Sequence, residues 1–144
     1  MPPDVESIDN DAPPMNSLRV YVVEDSPIIR ERVIEHIQDC GTGEVVGCAE
    51  TEDEAMSGIL KLRPDAVVLD IQLRAGNGFN VMRRLAVLPA ADRPVVIVFS
   101  NHASADFRRR AASAGAHYFI DKGSEFNHLG DLLGNLGANP ETRH

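Results

Sequence analysis

The feature that most constrains this chain is a short run, Ala66-Val67-Val68-Leu69, in which apolar residues follow one another without alternation and end on Asp70. A strand with one wet face would alternate apolar and polar residues, so an unbroken run fits a strand covered on both faces. Such strands belong to parallel sheets clothed by helices, where ligands gather at the carboxyl ends of the strands. Three more runs have this form. Leu18 to Val23 ends in Glu24-Asp25, Val95 to Phe99 ends in Ser100, and Ala116 to Ile120 ends in Asp121-Lys122. Carboxylates, a hydroxyl and an ammonium would then share one rim around Asp70.

The segments between the runs read as helices. Ser26 fits an N-cap and Pro27 a first helical position, with Ile29, Val33, Ile34 and Ile37 on one face up to about Asp39. A short strand, Val45 to Ala49, precedes Thr51-Glu52-Asp53-Glu54, which has the capping-box form. The helix that follows turns Ala55, Met56, Ile59 and Leu60 inward and stops before Pro64. A glycine-containing loop from Arg74 to Gly78 leads to a third helix with Val81, Met82 and Leu85 inward. A fourth covers about Ser104 to Ala114. A fifth, about Glu125 to Leu136, carries Phe126, Leu129, Leu132, Leu133 and Leu136 on one stripe. Strict alternation of strand and helix predicts an α/β fold, a five-stranded parallel sheet with helices on both faces and right-handed crossovers.

The 144 residues suffice for one domain with a core and hardly for two. Residues 1–17 hold four prolines and four acids with little apolar material, which predicts a disordered acidic tail. Residues 18–136 form the folded domain, and 137–144 read as a flexible end. The formal net charge of -8 argues against a nucleic-acid-binding face as the main function. The local cluster Arg108-Arg109-Arg110 reads first as a solvated helix face. No apolar run is long enough to span a bilayer and no signal peptide pattern opens the chain, so a cytoplasmic location is the default. Cys40 and Cys48 have no metal-type or redox-type spacing and are expected as reduced, partly buried thiols.

The rim residues suggest a chemistry. Glu24, Asp25 and Asp70 offer hard oxygen ligands, which suit Mg²⁺. Lys122 supplies a point charge for a phosphate oxygen, and Ser100 a hydroxyl. Cations and a donor around one carboxylate would stabilise a phosphoryl group in flight, with Asp70 as the nucleophile.

With these residues in view, the chain resembles the receiver domains of two-component response regulators, over about residues 18–136. Glu24-Asp25, Asp70, Ser100 and Lys122 fall in the matching strands at intervals of 45, 30 and 22 residues. The resemblance implies a flavodoxin-like sheet in the order 2-1-3-4-5. It implies Asp70 as phospho-acceptor and Asp25 as an Mg²⁺ ligand, with Glu24 acting mainly through water and Gln72 offering its backbone carbonyl. Ser100 and Lys122 would contact the phosphoryl group. Tyr118 would be the aromatic that changes rotamer when the hydroxyl residue moves.

The chain departs from the family pattern at Arg74, where a proline is common, and at Gly123, where the lysine is usually followed by a cis proline. A cis bond without proline costs about 2.5–4 kcal/mol, so a trans Lys122-Gly123 bond is expected. Asn101 is larger than the usual residue after the hydroxyl, and with Gln72 it would tune hydrolysis of the aspartyl phosphate.

The chain ends shortly after the fifth helix, so the expectation is a stand-alone receiver without enzymatic turnover. A histidine kinase or histidine phosphotransfer protein would phosphorylate it. A downstream protein target would read the face of helix four, strand five and helix five, including His102, Phe107 and Arg108 to Arg110. No nucleic acid or membrane partner is expected. Two rival readings are an interaction module that keeps the fold without phosphorylation, and a Mg²⁺-dependent phosphatase. The latter needs a second acid two residues after the nucleophile, where Gln72 stands. Flavin binding is discounted because no phosphate-cradling glycine loop follows the first strand.

Overall fold

The computed structural model describes residues 18–138. Within them, strands β1 (Leu18–Val23), β2 (Gly43–Ala49), β3 (Ala66–Leu69), β4 (Val95–Ser100) and β5 (Tyr118–Asp121) alternate with helices. These are α1 (Pro27–Cys40), α2 (Glu52–Leu62), α3 (Gly78–Ala86), α4 (Ala105–Ala114) and α5 (His128–Ala138), with a 3₁₀ turn at Ala90–Asp92. All strands pair in parallel, in the order β2-β1-β3-β4-β5. The expected sheet is the observed one. Residues 1–17 and most of the segment read as a flexible end lie outside the described residues. Helix α5 itself continues through Gly137 and Ala138.

Alternate strand residues feed two cores, as the two-residue period requires. Tyr21, Val23, Val67, Leu69, Val96 and Val98 pack with Ala55, Met56, Ile59, Val81, Met82, Leu85 and Ala111 beneath α2, α3 and α4. Val20, Val22, Ala66, Val68, Ile97 and Phe99 pack with Val33, Ile37, Leu129, Leu133 and Leu136 beneath α1 and α5. Central β3 is buried along its whole length.

The helix starts follow their caps. The Ser26, Thr51, Asn77 and Ser104 side chains accept from the backbone N–H three residues on. The box at Thr51 is shifted, because Glu54 Oε1 accepts from the N–H of Glu50 rather than that of Thr51.

Several boundaries and faces differ from the sequence reading. Strand β5 begins at Tyr118, not Ala116, because the His117 side chain interrupts the ladder. The Val96 N–H donates to His117 Nδ1 at 2.9 Å, while the His117 N–H donates to the Val96 carbonyl. Helix α5 begins at His128, not Glu125. Glu125 Oε1 is engaged by the Asp121 N–H and by Arg108, and tight turns at Glu125 and Phe126 precede the helix. Strand β2 starts at Gly43, earlier than Val45. Leu60 is exposed, since the inward stripe of α2 runs through Ala55, Met56, Ile59 and Leu62 and leaves it at the edge. Cys40 and Cys48 are exposed free thiols, not partly buried ones.

Helix α5 approaches its neighbours through glycines. Gly130 donates its N–H to His36 Nε2 at 3.2 Å, and a Cβ there would meet Cys40 Sγ at 2.5 Å. Gly134 faces Thr42, and Gly137 lies over Leu18.

Burial at the sheet edge pushes the His117 pKa below its ordinary value, and the acceptor role of Nδ1 needs an unprotonated ring. Below about pH 6.5 the unfolded chain gains a proton at this histidine that the folded protein does not. Stability is therefore fully present above that pH and declines as pH falls toward the folded value. Urea midpoints of the native protein, compared with His117→Gln, are expected to fall faster below about pH 6.5. A constant difference across that range would contradict this role.

Candidate functional site

Parallel pairing brings the carboxyl ends of β1, β3, β4 and β5 to one rim. Val23 is in register with Leu69, Leu69 with Val98, and Ser100 with Asp121. Two backbone bonds carry the ladders one residue past the strands. Glu24 donates its N–H to Ala49 and Asp70 to Val23, each at 3.0 Å. Glu24 and Asp70 thereby leave the sheet side by side.

Among the described residues, Glu24, Asp70 and Ser100 are the buried polar or charged side chains. Asp25 is half-buried. Lys122 reaches across from the end of β5 and lies between the two buried acids. Its Nζ is 2.7 Å from Glu24 Oε1 and donates to Asp70 Oδ2 at 2.9 Å. The first contact is an ion pair without good hydrogen-bond alignment. Lys122 also lies 5.7 Å from the Phe99 ring centroid, and its N–H is held by the Ser100 carbonyl.

The electrostatics follow from burial and pairing. Burial raises the Glu24 pKa above the usual carboxylate value, against the lowering effects of Lys122 and the Ser26 N–H. Burial alone would depress Lys122, but its contacts with Glu24 and Asp70 outweigh that and hold the ammonium charged. Glu24, Asp25 and Asp70 each offer an oxygen within 4.8 Å of the others. Three carboxylates around one ammonium leave an excess of negative charge on hard oxygen atoms. That donor set fits a divalent cation such as Mg²⁺.

The remaining rim residues divide into two groups. Ser100 is fully buried and its Oγ accepts the His102 N–H at 3.0 Å, while Asn101 is exposed. Gln72 is exposed, and its N–H approaches Asp70 Oδ1 at 3.4 Å. Tyr118 is away from this cluster, 39% exposed on β5. The Lys122-Gly123 peptide is trans, as expected from glycine at this position.

The sequence reading missed the residues that brace the rim. Arg30 donates from Nη1 to the Glu24 carbonyl at 3.0 Å and to Glu50 Oε2 at 2.8 Å. Arg74 pairs with Glu50 at 3.3 Å. The loop after Asp70 is thus linked through Glu50 to the segment after β1. Glu52 holds the far side of that loop through the Asn77 N–H, the Asn80 amide and Arg84. No local pattern marks these partners, since the contacts between their side chains join residues 20 or more positions apart, as in Arg30–Glu50. Gly78 has a different signal, a glycine opening a helix. A Cβ there would collide with the Asp70 carbonyl and lie 2.8 Å from Ile71 Cα, so only glycine lets α3 start this close to the strand end.

Removing the ammonium leaves two buried carboxylates facing each other. In chelator at neutral pH, Lys122→Met is expected to lose about 2 kcal/mol of stability, less than a fully enclosed pair because the rim opens to solvent. Urea unfolding measures this, and an unchanged midpoint would show that the pair is energetically neutral.

Residues 20–133 match the family described as the response regulator receiver domain. A protein-glutamate methylesterase/protein-glutamine glutaminase of Syntrophus aciditrophicus is 33% identical over 109 residues, which is 74% of this chain and 31% of that protein. A gliding motility regulatory protein of Myxococcus xanthus is 36% identical over 112 residues, 78% of this chain and 14% of that protein. The chain therefore spans less than a third of either curated relative. Among solved structures, a LuxR-family two-component response regulator from Aurantimonas sp. SI85-9A1 aligns with a TM-score of 0.77 and 27% identity, covering 85% of this chain and 86% of the other. The response regulator domain of Thermotoga maritima CheB aligns with a TM-score of 0.68 and 25% identity, covering 88% and 92%. The buried acids, the ammonium between them and the 2-1-3-4-5 sheet thus stand on a chain that belongs to the response regulator receiver domain family.

Proposed function

We propose that this receiver accepts a phosphoryl group on Asp70 from a histidine kinase or a histidine phosphotransfer protein. The observation that carries the reading is Lys122 Nζ held between the buried Glu24 and Asp70 carboxylates at the carboxyl rim of the sheet. In the transfer, a carboxylate oxygen of Asp70 forms a bond to phosphorus. The P–N bond to the donor histidine breaks, and its electron pair stays on the imidazole nitrogen.

Lys122 releases part of its hold on Asp70 and pairs with a phosphoryl oxygen, while remaining close to Glu24. Ser100, one strand over, donates its hydroxyl to another phosphoryl oxygen. Asp25 and Asp70 would hold Mg²⁺ with the Gln72 carbonyl, and Glu24 through water. When bound, the metal neutralises charge on the phosphoryl oxygens. No described helix is long and apolar enough to cross a membrane, and a cytoplasmic site of action is part of this reading.

The signal would leave through α4, β5 and α5. Ser100 Oγ is tied to the His102 N–H just before α4, so drawing Ser100 toward a phosphoryl group moves the start of that helix. Tyr118 on the neighbouring strand is exposed here and would turn inward into the space released. Helix α4 suits such movement, because Ala111 is its one buried residue. The activity named for the Syntrophus relative belongs to a protein more than three times as long as the matched region and is not assigned to this chain.

Incubation with acetyl phosphate tests the chemistry, read by intact mass or phosphate-affinity gel. Uptake of one phosphoryl group is expected with Mg²⁺, strongly reduced in chelator, and lost in Asp70→Asn. Absence of uptake by a folded native protein would overturn the proposal in favour of a phosphorylation-independent interaction module.

A further inference from the structure

The arginine triplet of α4 does not form one face. Arg108 turns toward β5 and the turn before α5, donating to Glu125 Oε1 at 3.2 Å and lying over the Phe119 ring at 4.8 Å. Arg109 and Arg110 turn the other way, toward α3. There, Phe79, Arg83, Arg109, Arg110, Ser113 and Ala114 line an open groove of about 480 Å³ between α3 and α4.

The groove sets the Phe79 ring among three guanidiniums. The Arg110 guanidinium lies 4.8 Å from the Phe79 ring centroid and 5.3 Å from that of Phe107. The two rings are near-parallel, with centroids 6.4 Å apart. This stack fixes the planar guanidinium and leaves its donors for a ligand. Arg83 donates to the neutral Asn80 amide oxygen. Arg109 pairs with Asp106, one turn back on its own helix, where both side chains are largely exposed and the pair is weak. No acid is among the residues lining the groove. In a chain of net charge -8, three guanidiniums beside two aromatic rings are a local reversal of sign.

We propose that the α3–α4 groove docks an acidic segment of a partner polypeptide, with carboxylates on Arg83, Arg109 and Arg110 and an apolar side chain against Phe79. Charge complementarity selects this occupant. The guanidinium forks match carboxylates, and the Phe79 ring among them seats an apolar side chain, a pairing that an acidic peptide carrying Leu or Phe supplies. The groove shares α4 with the proposed output face but contains neither Asp70 nor β5, and the proposal concerns the unphosphorylated chain.

The test titrates the isotope-labelled full chain with a capped peptide of about ten residues, long enough to cross the groove in extended form, alternating Glu with Leu or Phe. The same peptide with Lys for Glu is the control. Amide shifts are expected in residues 79–86 and 107–114, with binding weakened by salt. Arg83→Glu and Arg109→Glu, both at exposed positions, are each expected to weaken binding about tenfold. Arg110→Lys, which keeps the charge but loses the planar stack, also weakens it. Three results would each overturn the proposal. They are equal binding of the Lys peptide, no shifts at millimolar peptide, and shifts centred on Lys122 or Tyr118 instead of the groove.

Discussion

The ammonium of Lys122 between two desolvated carboxylates is the interaction on which the rim depends. Parallel pairing forces the strand ends together, and with them Glu24 and Asp70. Burial already drives Glu24 toward its neutral form, and the Lys122 ammonium works against that. The opposite charge comes from β5, two strands away from β3 in the sheet order. The fold thus places a charge cluster where the backbone alone would favour an apolar lid. Replacing the whole cluster with apolar residues would change stability little, because desolvation offsets most of the attraction, whereas removing the lysine alone leaves the acids uncompensated. The cluster's effect is on geometry, holding one ammonium against both Glu24 and Asp70.

Most of the sheet and the central cluster were legible in the sequence. Unalternated runs ending in Asp70, Glu24-Asp25 and Ser100 reported the two-sided burial of β3, β1 and β4, whereas the run before Lys122 forms the partly exposed edge strand β5 and reported the shared rim alone. Ser26 and Thr51 marked the starts of the first two helices as caps. Two of the boundary errors share a cause, side chains that compete with the backbone. His117 lends its ring nitrogen to the Val96 N–H and delays β5. Glu125 caps the Asp121 N–H and delays α5. Leu60 sits at the margin of a stripe whose centre is set by what the sheet presents. The bracing residues Arg30, Glu50, Glu52 and Arg74 were invisible because their partners are distant in sequence and leave no periodic trace.

Helix α4 illustrates how one local pattern serves two surroundings. Arg108-Arg109-Arg110 looks like a single basic patch, yet at 100° per residue consecutive side chains cannot share a direction. One arginine ties the helix to β5 and the turn before α5, and its neighbours border α3. With Ala111 as its only fully buried side chain, the helix is held more by these flanking contacts than by its core.

The glycines of α5 have a consequence for how the domain opens. Gly130, Gly134 and Gly137 let the helix lie close to His36, Cys40, Thr42 and Leu18. Each costs roughly 1 kcal/mol of helix propensity relative to alanine. The helix therefore borrows its order from the sheet beneath it. Protection of its amides is therefore set by how firmly Leu129, Leu133 and Leu136 stay seated on the sheet rather than by the helix's own propensity. A partner that grips α5 would meet an element whose order it can raise, and part of its binding energy would go into ordering that helix.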